Sequence, residues 1–334
     1  MNGLVPKKPR RSAAFVLAAV AFAAGAVRAD EGQPFRTRNL SPLVSIFGIP
    51  AWSNAPSEGT RVGLSAELAN HYRFSQRGGE GLILDGETWR TALVIEHAFG
   101  ENAFAAVEIP YYRQSGGELD DLIDSWHAAF NLPDGGRNRR AEDQITFVLD
   151  AGAGPFYGLG RRGGAIGDVI VSAGRRFGSA ARGRSGQLRA SLKVPTGDEL
   201  WLAGSGSADF ALTWLATRRG EAWGRPGAYY WGVGGLLLGS PDIIEYDARR
   251  AGLVGLLGGG IRPWRRWGVK AQLELHSALY ESRLREIGDP GVQATIGGWR
   301  DLRDRGVVEF AINEDVAVST SPDLVIHLNF QWEF

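Results

Sequence analysis

The sequence contains no cysteine and one methionine, Met1. Without cysteine there is no disulfide, no thiolate metal site, no cysteine nucleophile and no lipid-modified amino-terminal cysteine. Net charge is also missing: 37 basic residues balance 37 acidic ones, so no whole-molecule field gathers nucleic acid. Proline is modest at 15 of 334 residues and 44% of the chain is hydrophobic, which excludes collagen and polar disordered tracts. Past residue 30 no apolar run approaches the 20 or so residues of a membrane-spanning helix. What is abundant is tryptophan, with 11 residues, and glycine, with 47. That glycine share is roughly twice ordinary usage.

The first residues have the three-part plan of a secretory signal. Lys7, Lys8, Arg10 and Arg11 precede an apolar run from Ala13 to Val27, which closes on Val27-Arg28-Ala29. Fifteen apolar residues are too few for a spanning helix, so residues 1–29 are expected to be a cleaved signal peptide. Removing them takes away five basic residues and no acidic one. The 37 basic residues become 32 against 37 acidic, a net charge of −5.

Beyond the signal, apolar residues recur every second position. Leu324, Ile326, Leu328, Phe330, Trp332 and Phe334 alternate with Val325, His327, Asn329, Gln331 and Glu333. That is a strand period, over the length a tilted strand needs to cross a bilayer. Trp267, Val269, Ala271, Leu273, Leu275 and Leu279 repeat it opposite Lys270, Gln272, Glu274 and His276, with Ser277 the exception. Val62 to Leu68, Leu188 to Val194 and Ala208 to Ala216 follow suit. Further candidates lie near 87–98, 102–112, 144–150, 168–177, 228–239, 251–262, 292–300 and 306–319. These thirteen candidates, with the even count of bacterial single-chain barrels, predict an all-β fold. The expected fold is a transmembrane antiparallel up-and-down β-barrel of about 12 strands (10–14) over residues 60–334.

A soluble sandwich or jelly roll also alternates, with its apolar face inward. Three features favour the barrel. Small residues and opposed charges (Glu67, Lys193, Lys270, Glu274) line the polar faces, as a wet lumen requires. Aromatics gather at strand ends (Tyr111, Tyr112, Trp264, Trp267, Trp332, Phe334), as interfacial girdles do. The last strand ends on Phe334, so Phe330, Trp332 and Phe334 are the expected assembly signal. Small lumen-facing residues, glycine above all, let a tilted sheet curve and leave room inside.

Two segments escape the strand pattern. Residues 30–59 carry Pro42 and Pro50, which argue against a central strand; the segment is either a plug in the lumen or a periplasmic tail. Residues 118–131 carry Leu119, Leu122, Ile123, Trp126 and Phe130 on one helical stripe, with Asp120, Asp121 and Asp124 early. Pro133-Asp134-Gly135-Gly136 would end that short helix. Between two strands it belongs to a long loop, either constricting the lumen or lying on the surface.

Little else suggests chemistry. Asp120, Asp124 and His127 fall at i, i+4 and i+7, but a solvated helix start explains them, and no metal site is assigned. Gly158-Leu159-Gly160-Arg161-Arg162-Gly163 matches a dinucleotide fingerprint literally without its strand and helix context. No hydrolase, metalloprotease or P-loop motif is present, and no His has a Ser and an acid at a recognisable spacing. The expectation is a non-enzyme with no cofactor. The most distinctive string is Lys193-Val194-Pro195-Thr196-Gly197-Asp198 with Gly204-Ser205-Gly206-Ser207-Ala208-Asp209, a strand end, a tight turn and a small-residue stretch. Ordinary turn chemistry accounts for it.

Arg38-Asn39-Leu40-Ser41-Pro42, Ile46-Phe47-Gly48-Ile49-Pro50, the segment from Gly117 through Trp126-His127 to Arg137, Pro195-Thr196-Gly197-Asp198, Glu314-Asp315 and Ser321-Pro322-Asp323 together resemble one family. It is an uncharacterised, domain-of-unknown-function family of proteobacterial outer-membrane β-barrel proteins, and the resemblance spans about 35–334. The Pro-Thr-Gly-Asp turn with its Gly-Ser-Gly also resembles barrels linked to uptake of aromatic and other hydrophobic compounds. Neither resemblance supplies catalytic residues.

The expected protein is a monomeric porin-like barrel in the outer membrane of a Gram-negative cell. It is a passive channel or binder for a small, hydrophobic solute. Its partners are outer-membrane lipids and the barrel-assembly machinery, not nucleic acid. The candidate lumen or constriction residues are Asp120, Asp124, Trp126, His127, Lys193, Asp209, Lys270 and Glu274, where rings of charge set selectivity. The alternatives are a structural or assembly protein without transport and an outer-membrane lipid-modifying enzyme.

Overall fold

The computed structural model describes residues 31–117, 145–152, 157–179, 183–242, 247–302, 306–316 and 320–334. Twelve strands form a closed ring: β1 (Thr60–Arg77), β2 (Glu80–Phe99), β3 (Ala103–Ser115), β4 (Val169–Ser179), β5 (Arg184–Val194), β6 (Asp209–Ala222), β7 (Arg225–Leu237), β8 (Ala251–Trp264), β9 (Trp267–His276), β10 (Gly291–Leu302), β11 (Gly306–Asp315) and β12 (Leu324–Glu333). Each pairs antiparallel with its chain neighbours, and β12 closes on β1 from Arg61↔Glu333 to Asn70↔Leu324. Closure leaves no ring edge with unpaired N–H and C=O groups, a requirement in hydrocarbon.

Local sequence explains each wall strand. On β9, Trp267, Val269, Leu273 and Leu275 are exposed on the outer surface while Gly268, Lys270, Gln272, Glu274 and His276 are buried inward. All twelve strands expose at least one large apolar side chain outward, from Leu64 on β1 to Leu328 on β12. Such a continuous apolar belt is tolerated against lipid, not water. The alternation stops at His276. Leu279, which the periodicity places on the outer face, lies past the strand and is buried in the core. Tyr112 also departs from the expected girdle: it faces inward and is buried, while Tyr111 faces out.

Thr60 and Phe334 exchange backbone hydrogen bonds at one end of the barrel, with Phe334 N donating to Thr60 O at 2.8 Å. Connections at that end are short, such as Trp223-Gly224 between β6 and β7 and Arg265-Arg266 between β8 and β9. The opposite end carries the long connections. The exception is the tip of the β1–β2 hairpin, where Gly78 (φ 62°) and Gly79 (φ 93°) supply the left-handed residues of a two-residue turn.

The thirteenth strand candidate stands outside the ring. Thr146–Asp150 pairs with 81–85 of β2 above the point where β3 ends, and Tyr157–Leu159 pairs onto it. Gly163–Ile166 pairs with 111–114 of β3. These pieces bury Phe147, Leu149 and Leu159 in an apolar cluster with Leu82 and Leu84, capping the long-loop end.

Candidate functional site

The interior is built from the inward positions of the ring and from residues 31–58, which form no strand of the ring; Gly59 O, just before β1, accepts from Ala98 N of β2. Nearly all of 32–56 is buried. The segment enters at the short-turn end, where Arg262 of β8 pairs with Glu31. It then runs extended beside β9 in the same direction, meeting every second residue of it. Lys270 Nζ donates to Gln33 O at 2.9 Å, Phe35 N to Gln272 Oε1 at 2.9 Å, and Thr37 Oγ1 to Glu274 Oε2 at 2.5 Å. Asn39 Nδ2 lies 3.0 Å from His276 Nε2. Two extended chains with equal rise keep the same polar teeth engaged over four steps.

At the long-loop end the chain turns. Pro42 starts the short helix α1 (Pro42–Ser45), whose Leu43, Val44 and the following Phe47 join the apolar cap. Phe47 packs against Tyr280 with ring centres 5.3 Å apart and planes tilted by 55°, and the Tyr280 hydroxyl donates to Leu43 O. Gly48 then passes close to the wall: a Cβ there would stand 2.9 Å from Lys193 Cβ and 3.0 Å from Asp209 Cβ. Gly48 N donates to Asp209 Oδ2 at 2.7 Å, and Lys193 Nζ to Ile46 O at 2.8 Å. The return limb descends along β7, β6 and β5. Trp52 lies over Gly232 of β7, where any Cβ would meet the indole at 2.4 Å, and Ala55 N donates to Gln187 Oε1.

Between the limbs sits a buried ionic network. Arg36 and Arg38 both reach Glu108 of β3, and Arg36 lies 3.4 Å from Glu96 of β2. Arg90 joins Glu108 to Glu67 (2.7 Å), Arg189 pairs with Glu96 (2.9 Å), and Arg61 bridges Glu96 and Glu333. Within this network the wall supplies four carboxylates and three guanidiniums, a deficit of one positive charge that the segment's two arginines more than offset. Breaking one buried pair of this kind costs about 3–5 kcal/mol, because a desolvated charge is left behind.

Of the sequence candidates, Lys193 and Asp209 come together, 3.0 Å apart, at the upper level of the lumen. The turn string builds this station. A break between Gly163–Ile166 and β4 turns Asp168 inward, where it accepts from Gly197 N and Ser205 N and pairs with Lys193 at 2.9 Å. Outside the wall strands, Glu199 of the same turn has its carboxyl pushed up by burial and by the carboxylates of Asp242, Asp168 and Asp198. Lys270 and Glu274 also face inward but apart from that pair: Lys270 binds Glu309, and Glu274 binds Thr37. Phe330 and Phe334 are exposed at the short-turn end, and Phe330 stacks on Trp332 at 6.1 Å. Asp120, Asp124, Trp126 and His127 lie outside the described residues.

Sequence reasoning passed over Arg36, Arg38, Arg90, Glu96, Glu108 and Arg189. The wall members had a signal: each stands at the polar parity of its strand. Of the segment arginines, Arg36 had none, since no periodicity marks residues 30–59, and Arg38 stood only in a string that carries the family resemblance.

A family model described as a protein of unknown function, DUF3187, matches residues 10–334. No curated protein matches the chain. Among solved structures, the COG4313 outer membrane channel from Pseudomonas putida F1 gives a TM-score of 0.53 at 12% identity, covering 84% of this chain and 97% of that one. The translocator domain of autotransporter NalP from Neisseria meningitidis gives 0.39 at 10% identity over 84% and 90%. The P. putida toluene transporter TodX gives 0.38 at 9% identity over 84% and 91%. At such identities the likeness to the first is one of fold, that of an outer-membrane barrel.

Proposed function

The chain belongs to the DUF3187 family of proteins of unknown function, and we propose that this member is an outer-membrane channel for a small hydrophobic solute, closed by its own residues 31–59 acting as a plug. The observation that carries this reading is how the segment is attached. It fills the lumen through side-chain hydrogen bonds and ion pairs, and contributes no strand to the ring. It can therefore move without opening the wall. Its tip also places Leu43, Val44 and Phe47 among apolar residues of the cap, so displacement of the tip uncovers an apolar recess on the side where solute arrives. The barrel of like fold from Pseudomonas putida F1 is itself an outer membrane channel. After loss of residues 1–29 the protein is inserted as a monomer, with its apolar belt against lipid and its short turns toward the periplasm.

Absence of cysteine makes the test clean. Thr37 of the segment and Thr295 of β10 have their hydroxyl oxygens 3.4 Å apart, so a Thr37→Cys/Thr295→Cys variant is placed to join segment to wall. Flux of an aromatic solute into proteoliposomes is expected when the pair is reduced and lost when it is oxidised. Equal flux in both states removes the plug from the gating, and no flux in either state removes the channel.

A further inference from the structure

Two arginines on the outer wall have no counter-charge among the described residues. On β5 and β6 the outward positions are even-numbered, with Leu188, Leu192, Phe210 and Leu212 exposed there. The same parity turns Arg184 and Arg218 outward at the short-turn end, and the register sets them directly opposite one another. Both are exposed, and among the described residues neither makes an ion pair or a side-chain hydrogen bond. Like charges directly opposite on adjacent strands repel.

The next row toward the membrane interior pairs Gly186 with Ala216, both too small to fill the surface. Trp214 covers that gap: a Cβ on Gly186 would stand 2.7 Å from its indole. Phe177 packs against Trp214 with ring centres 5.6 Å apart. The arrangement is a pair of guanidiniums at the water boundary with an aromatic floor immediately on the lipid side, continued by the apolar Leu188 and Leu212.

We propose that Arg184 and Arg218 together bind the phosphate of an anionic phospholipid in the leaflet that faces the short turns. Guanidiniums bind phosphate oxygens through paired N–H donors, and a shared phosphate turns their repulsion into attraction to one anion. The glycerol region lies over Trp214 and Phe177, where interfacial aromatics sit, and the acyl chains follow Leu188 and Leu212. A dissolved anion would use the arginines but gain nothing from the aromatic floor, which assigns the site to lipid. The inference rests on membrane placement of the barrel and not on solute passage.

The test titrates phosphatidylglycerol against the whole barrel in zwitterionic micelles and counts bound lipid by native mass spectrometry. Each arginine near a charged interface contributes roughly fivefold, so Arg184→Ala/Arg218→Ala is expected to weaken binding about twenty-five-fold. Arg184→Lys/Arg218→Lys, which keeps the charge, is expected to lose about fivefold or less. Mobility before and after boiling establishes that each variant is folded, and the single Arg184→Ala change serves if the double one is not. Unchanged affinity in the folded alanine variants overturns the site. Displacement of the lipid by an equal concentration of inorganic phosphate overturns the lipid assignment. A barrel that binds lipid in this way but passes no solute leaves the site standing and removes only the channel.

Discussion

Glu108 holds three guanidiniums at once: Arg36 and Arg38 from the segment and Arg90 from the wall. Removing its charge takes from Arg38 its ion-pair partner and leaves Arg36 and Arg90, buried beside it, with one carboxylate each, Glu96 and Glu67. A Glu108→Gln change is therefore expected to weaken retention of the segment by about 3–5 kcal/mol. Protease cleavage within residues 31–59 of the folded barrel is the measurement, and the variant should be cut far faster than the native protein. Cleavage at the native rate would show that the apolar tip, not the ionic network, holds the segment. At this scale the sequence was half legible. Lys193, Asp209, Lys270 and Glu274 are inward because strand parity puts them there. The partnership of Glu108 with Arg36 and Arg38 joins residues about 70 positions apart through a segment with no period, so nothing local announces it.

Elements show the same division between periodicity and placement. Thr146–Asp150 alternates as regularly as a wall strand, yet its Phe147 and Leu149 face the protein's own cap instead of lipid. Alternation reports that one face is apolar and is silent on what that face meets. Hence the strand pattern alone counted thirteen, and only the even-number rule for closed barrels reached twelve. The glycines were legible as curvature and interior room, but each position has its own occupant. Gly232 on β7 is where the return limb leans its Trp52. Gly232→Leu is expected to push the indole off the wall and detach the descending limb. The ascending limb, tied to β9 through Gln272, Glu274 and His276, keeps its place. Protease sites should then open around residues 50–56 but not around 33–39. Uniform cleavage of both limbs would mean the segment comes and goes as one piece.

For the molecule as a whole, wall and filling obey different physics. The ring is held by a closed antiparallel ladder whose outer face is apolar on every strand, and it needs nothing inside it to satisfy its backbone. The filling is held by charge and hydrogen bonds in a desolvated lumen, where each contact matters only while its partner is present. Separability follows. In an Arg36→Ala/Arg38→Ala variant the wall has lost both segment cations and is left with Glu67, Glu96, Glu108 and Glu333 facing Arg61, Arg90 and Arg189. Water entering the loosened lumen solvates that single excess carboxylate at small cost, whereas the ladder is untouched. The unboiled variant is therefore expected to migrate on detergent gels as the native barrel does, and to shift only on boiling. In a planar bilayer it should conduct steadily where the native protein is mostly closed, and its excess of lumen carboxylates should favour cations. A variant that no longer shows the heat-dependent shift would mean the segment is part of the barrel's fold. Its filling could not then serve as a gate.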